Sequence, residues 1–173
     1  MKTKTIALSI FAALNLAVPL SADQQAIPLG ATPSAAQIGH IFVNTCEPAL
    51  PPLMEKKFAL YETAFGWSAA QAGTDAAFAP AQGGVLVTFD ANWEGATCEL
   101  SVPAAISGDG AAIYDGLIAH LEAEIDALPS PNAIDGGLKW EWKRAGTAID
   151  VTYTVEFIET SEGHILRTQA KQF

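Results

Sequence analysis

The chain has 173 residues, with 9 lysines and arginines against 19 aspartates and glutamates, and a formal charge of −10. Half of its residues are apolar and only 16% are charged, which excludes a disordered acidic tail, since such tails are poor in apolar residues. The acidic balance argues against a nucleic-acid partner, because clustered lysines and arginines bind the phosphate backbone. Two cysteines are too few for a disulfide-dense miniprotein or a zinc site built of cysteines alone.

The N-terminus has the layout of a cleavable signal peptide. Lys2 and Lys4 are basic, residues 6–20 are mostly apolar, and small residues precede Asp23. The apolar run is short for a membrane span, and no later stretch reaches the roughly 18 apolar residues that a spanning helix needs. The predicted organisation is a signal peptide at 1–22, a mobile lead-in at 23–32 and a single α+β domain at 33–173.

Export to the periplasm or the medium would place Cys46 and Cys98 in an oxidising compartment. An isolated cysteine pair usually forms a disulfide there. Helical spacing puts Cys46 on an apolar helix face, and strand alternation puts Cys98 on the same face as Leu100 and Val102. We therefore predict a core disulfide between the first helix and the second strand. The alternative, a reactive Cys46, lacks a C-x-x-C motif and a basic setting.

Periodicity and turn residues predict the elements in chain order. Thr32-Pro33 is a typical helix start, and helix one runs to Cys46. Residues 68–84 are rich in alanine and glycine and are predicted to be a loop. The predicted helices are 33–46, 53–65 and one that follows Ser107–Gly110 and continues to 128; the predicted strands are 85–89, 96–102, 138–143, 149–157 and one that starts at His164.

The last third alternates apolar and polar residues, which predicts an antiparallel meander with one buried face. The first hairpin would place Glu141 beside Asp150, an unfavourable pair of like charges. The register predicted for the second hairpin pairs Glu156 with Arg167, Thr152 with Lys171 and Phe157 with Leu166.

The element order α-α-β-β-α-β-β-β leads to a definite expectation for the architecture. Strands with one polar face need helices on the other face. We expect a two-layer α+β sandwich, with the helices on one face of a five-stranded, largely antiparallel sheet.

His120 and Glu124 are the catalytic candidates, because they lie one helical turn apart and their side chains can meet. A helical projection puts Glu124 at the edge of the apolar stripe, where it would be partly desolvated. Such a pair has the chemistry of a general acid–base pair or of two metal ligands, and also that of an ion pair at the rim of a core.

Asp90, Asn92, Glu94 and Gly95 match the first half of a calcium-binding loop. The bidentate glutamate that such a loop needs is replaced by Ser101, and the flanks are predicted strands. An ordinary polar hairpin turn therefore competes with calcium as the explanation.

Trp140, Trp142 and Tyr153 share a face of the predicted meander. Aromatic walls are typical of ligand pockets, so these residues are ligand-binding candidates. The alternating pattern also predicts them as the core layer beneath the third helix.

Ser107-Gly108-Asp109-Gly110 precedes the third helix, where backbone N–H groups can hold a phosphate. The stretch lacks the phosphate-loop spacing, and Asp109 would repel the ligand. We interpret it as a helix cap.

No complete catalytic or cofactor motif is present in the sequence. We therefore expect an exported, non-enzymatic binding module without a cofactor, whose acidity would steer a basic protein partner toward it. The alternatives are a small hydrolase or isomerase that uses His120 and Glu124 in an aromatic-lined pocket, and a calcium-stabilised module.

Overall fold

The computed structural model describes residues 28–46, 60–70, 76–92, 95–144 and 150–172. These residues form mostly sheet, with few helices. The helices are α1 (Ala35–Cys46), α2 (Ala104–Ser107) and α3 (Ala111–Glu124), with a further helical turn at Leu60–Ala64. The strands are β1 (Ser68–Ala69), β2 (Ala76–Ala79), β3 (Leu86–Asn92), β4 (Gly95–Pro103), β5 (Asn132–Ile134), β6 (Gly137–Arg144), β7 (Val151–Thr160) and β8 (Gly163–Gln172).

Several predictions from the sequence concern residues that the structure does not describe. The signal peptide, residues 23–27 of the lead-in and most of the second helix lie outside the described residues. Among those that are described, no helix is long and apolar enough to cross a membrane.

The strands form one antiparallel sheet of eight, in the order β1-β2-β3-β4-β8-β7-β6-β5. Each half is a meander of strands that follow one another along the chain. The two halves join where β8, the last strand, pairs with β4 from Gly95↔Lys171 to Pro103↔Gly163. The segment between β4 and β5 carries α2 and α3.

The predicted five-stranded α+β sandwich with the order α-α-β-β-α-β-β-β is therefore wrong. The sheet gains β1 and β2 from the stretch 68–84, which was predicted to be a loop, and β5 from the stretch after the third helix. These strands have two to four residues, too few for alternation to be read, and they contain alanine, serine and asparagine, residues that are not enriched in strands. Pairing with longer neighbours makes them strands.

The register of the second hairpin is confirmed, because Glu156 pairs with Arg167, Thr152 with Lys171 and Phe157 with Leu166. The register of the first hairpin is wrong. Glu141 pairs with the neutral Thr154 and not with Asp150. The observed pairing avoids two like charges facing each other across the strands.

One face of the sheet packs against α1 and α3, which also pack against each other. Strand alternation points every second side chain of β4 and β8 toward these helices. The core cluster contains Ile38 and Phe42 from α1, Ile113 and Leu117 from α3, and Val87, Cys98, Leu100, Trp140, Val155 and Leu166 from the sheet.

Cys46 and Cys98 form the predicted disulfide, with 5.3 Å between their Cα atoms. Both side chains are buried in the core. The bridge ties the end of α1 to the middle of β4, as the sequence predicted.

The crossing of α1 and α3 is close because Gly39 has no side chain. A Cβ at Gly39 would lie 2.7 Å from the carbonyl oxygen of Ile113 and 2.8 Å from the amide nitrogen of Leu117. These atoms belong to the backbone and cannot rotate away. On the other helix, a Cβ at Gly116 would lie 3.4 Å from the carbonyl oxygen of Ala36, which is an ordinary contact.

We predict that Gly39→Ala lowers the free energy of unfolding by about 1–3 kcal/mol, because the two helices must separate to admit the methyl group. Gly116→Ala is the matched control, and should leave stability unchanged or raise it by up to about 1 kcal/mol through helix propensity. Urea unfolding followed by circular dichroism measures both variants. Equal effects of the two substitutions would contradict the close approach at Gly39.

We predict that the double variant Cys46→Ala/Cys98→Ala loses about 4 kcal/mol of stability, because the bridge closes a long loop in the unfolded chain. Reduction of the unmutated protein should shift its urea midpoint by a similar amount. Mass spectrometry after alkylation without reduction provides the covalent test, and two alkylated thiols in the purified protein would rule out the bridge.

Candidate functional site

The structure places His120 and Glu124 in the last turns of α3, with His120 half-buried and Glu124 exposed. The predicted partial burial of Glu124 is wrong. The helix ends at Glu124, and Ile125 is extended, so the last turn does not continue along the core as the projection assumed. The enzyme hypothesis therefore lacks the desolvated carboxylate that motivated it.

The three aromatic candidates lie in two different environments. Trp140 is 1% exposed and packs 6.2 Å from the ring of Tyr114 on α3, which makes it part of the core. Trp142 and Tyr153 are half-buried, and their rings stack at 5.8 Å across β6 and β7. Trp142 and Tyr153 lie on the helix-covered face of the sheet, and their role as ligand-binding residues stays a prediction from the sequence.

The calcium candidates lie at the hairpin between β3 and β4. Asp90 is exposed, and Asn92 pairs with Gly95 in the strand register. Glu94 lies outside the described residues, as does the side chain of Asn92. Across the described part of the chain, no group of three or more histidines, cysteines, aspartates or glutamates is placed to hold a metal ion.

A buried serine–histidine pair joins the end of α2 to the start of β8. Ser107 and His164 are 3% and 5% exposed, and Nδ1 of His164 lies 2.9 Å from Oγ of Ser107. The imidazole ring also stacks on Phe157, with 5.2 Å between centroids. Sequence analysis missed this pair, although alternation from Leu166 back along the last strand places His164 on the buried face.

The geometry of this pair does not prepare Ser107 as a nucleophile. The hydroxyl of Ser107 donates to the carbonyl oxygen of Pro103 at 3.2 Å, a contact within its own short helix. Both side chains of the pair are buried, which closes the serine oxygen to a substrate. The Nε2 atom of His164 lies against Gly110, which has φ of +76° and no room for a Cβ. The pair fastens the α2–α3 connection to the sheet.

The stretch Ser107–Gly110 caps the helix in part: the N-cap residue is Gly110, which makes no side-chain cap hydrogen bond, and Asp109 makes a contact to the first helical residue. A carboxylate oxygen of Asp109 accepts a hydrogen bond of 3.1 Å from the amide of Ala111, the first residue of α3. This bond satisfies one of the free amides at the helix start.

The sheet face that points away from α1 and α3, called the open face below, is mostly polar and partly accessible, with Leu86, Ile158 and Ile165 among its apolar members. Its described side chains on β3, β4, β6, β7 and β8 are half-buried or exposed, except for those of Thr152 and Thr154. The charged members include both signs: Lys139, Lys143, Arg167 and Lys171 are positive, and Asp90, Glu99, Glu141 and Glu156 are negative.

Strand register arranges four of these charges in one line across the open face, called the charged row: Lys139, Glu156, Arg167 and Glu99. Arg167 donates hydrogen bonds of 2.9 Å to Glu99 and to Glu156. Partial burial acts to lower the pKa of Arg167, but the hydrogen bonds and charges of the two glutamates outweigh it and raise that pKa above its usual value. The row is thus a pre-ordered array of charges on rigid strands.

We predict that Ser107→Ala lowers the free energy of unfolding by about 1–3 kcal/mol, because the buried imidazole of His164 loses its hydrogen-bond partner. Ser101→Ala, on the open face, is the control and should change stability by less than about 0.5 kcal/mol. A fluorophosphonate reagent should leave Ser107 unmodified. Labelling that depends on Ser107 would contradict the structural role of the pair.

Comparisons with known proteins give no family for this chain. No family model matches it, no curated protein matches it, and no solved structure matches it. Its function therefore has to be argued from its own residues, and the open face and the buried serine–histidine pair are the features that the geometry brings forward.

Proposed function

We propose that the chain is a non-enzymatic binding module that works outside the cytoplasm, in the periplasm or the medium, and that its ligand docks on the open face of the sheet. The observation that carries this proposal is the charged row, in which strand pairing and the two hydrogen bonds of Arg167 hold Arg167 between Glu99 and Glu156. Binding sites built on strands keep their geometry better than sites on loops.

The open face supports a ligand of mixed or anionic charge better than the basic partner expected from composition. Some of the acidic residues that would attract a basic partner lie on α3 and just after it. Only their charge suggests that they form a binding site. These are Asp115, Glu122, Glu124 and Asp126, all exposed. The open face, in contrast, combines both signs with hydroxyl and amide groups, which allows directional recognition.

The extracytoplasmic location is supported by two independent features. One is the disulfide between Cys46 and Cys98, since such bonds persist in oxidising compartments. The other is the signal-like layout of residues 1–22.

The absence of a prepared acid–base pair weighs against the enzyme alternative, within the described residues. Glu124 is exposed at the end of α3, and the proton of Ser107 is directed to the carbonyl of Pro103. The exposed carboxylate is not desolvated, and the buried serine is closed to a substrate, so neither arrangement has the accessible, desolvated groups that acid–base or nucleophilic catalysis needs.

Site-specific photo-crosslinking in the source cells tests the docking face. A benzophenone amino acid is placed at Thr97 or Gln169, both half-buried on the open face, and at Glu122, exposed on α3, as the matched control. We expect adducts at Thr97 and Gln169 and none at Glu122, detected by intact-mass analysis of the purified chain. Adducts at Glu122 alone, or at none of the three positions, would contradict the proposal.

A further inference from the structure

A second line of residues crosses the open face next to the hairpin ends, and we call it the lysine row: Lys143, Thr152, Lys171 and Gly95 on β6, β7, β8 and β4. The two lysines are exposed and flank Thr152 on the adjacent strands. Two strand spacings put their Cα atoms about 10 Å apart. Unlike the charged row, this row contains no carboxylate.

The hydroxyl of Thr152 is the second observation at this place. The residue is 8% exposed, and its Oγ1 has no hydrogen-bond partner among the described residues. A buried hydroxyl without a partner is unfavourable, and a bound ion is one of the explanations for such a group in a native protein. Because Thr152 belongs to the open face, its side chain lies on the same face as Lys143 and Lys171, between them in the strand register.

Together these groups have the chemistry of a receptor for a compact anion. Lysine ammonium groups act as mobile point charges for phosphate and similar anions, and their flexible stems can move aside to admit one. A hydroxyl group between them can donate a hydrogen bond, which orients the bound anion.

We infer that the lysine row binds an oxyanion, a phosphate or sulfate group, through Lys171 and the hydroxyl of Thr152. The idea that this group belongs to the ligand of the open face rests on the proposed function. The binding of the oxyanion itself does not, since it follows from the row alone.

Thr154 offers an internal control for this inference. It is 7% exposed, and its Oγ1 also has no hydrogen-bond partner within the described ranges. Its neighbours across the strands are Glu141 and Gln169, so a carboxylate stands where the lysine row has an ammonium group. The two threonines thus share burial and an unpaired hydroxyl, and differ in the charge around them.

The test is an NMR titration of the ¹⁵N-labelled protein with inorganic phosphate, inorganic sulfate and, at matched ionic strength, sodium chloride. We expect saturable shifts of the amides of Thr152 and Lys171 with the oxyanions and not with chloride. A response to phosphate alone would assign phosphate, and a response to both would assign the wider oxyanion class. Equal responses to chloride would overturn the inference.

Four single variants separate binding from folding. Thr152→Val should weaken oxyanion binding about tenfold, since it removes a hydrogen bond to a charged group. Lys171→Gln should weaken it about threefold, as expected for one exposed charge pair. Thr154→Val and Lys139→Gln, the matched controls, should bind as the unmutated chain does.

Urea unfolding of the two valine variants guards against a structural explanation. Both should be at least as stable as the unmutated protein, because valine keeps the threonine shape and removes a buried unpaired hydroxyl. Equal loss of oxyanion binding in Thr152→Val and Thr154→Val would overturn the assignment to the lysine row.

The outcome here is distinguishable from that of the crosslinking experiment. Crosslinks at Thr97 without saturable oxyanion binding would leave the open face as the docking surface and remove the oxyanion. Saturable binding with crosslinks only at Glu122 would leave the oxyanion site and remove the docking proposal.

Discussion

The pairing of β4 with β8 is the interaction on which the rest of the structure depends. It joins two separate meanders into one sheet and brings residues of the middle of the chain beside residues of its end. This pairing sets Glu99 opposite Arg167 on the open face and Cys98 opposite Thr168 on the helix-covered face. The disulfide then fixes α1 to the same strand β4.

The two faces of this sheet have different roles because only one of them is covered by the described helices. The covered face holds the apolar core, the disulfide and the pair of Ser107 and His164. The open face carries polar side chains whose positions are set by strand register rather than by loops. A ligand that docks there would meet charges already in place, which reduces the entropy lost on binding.

The sequence predicted the parts of the fold that have strong local signals. The alternating pattern of the last third predicted β6, β7 and β8 correctly, and the turn at residues 160–163 predicted the register that pairs Glu156 with Arg167. The short strands β1, β2 and β5 carry no such pattern, because their extended form comes from a neighbour. The projected burial of Glu124 also failed, since periodicity does not mark the residue at which a helix leaves the core.

The sequence by itself determined the disulfide partners, the alternating faces of the long strands and the candidate export signal, since these depend on residue type and spacing. Only the tertiary structure decided that Glu99 joins Glu156 on Arg167, that His164 bonds to Ser107, and that Lys143 and Lys171 flank Thr152 together. Each arrangement needs the register of strands, or of a strand and a helix, that lie apart in the chain. Register depends on the pairing of all the strands in the sheet, so the sequence of a single segment does not predict it.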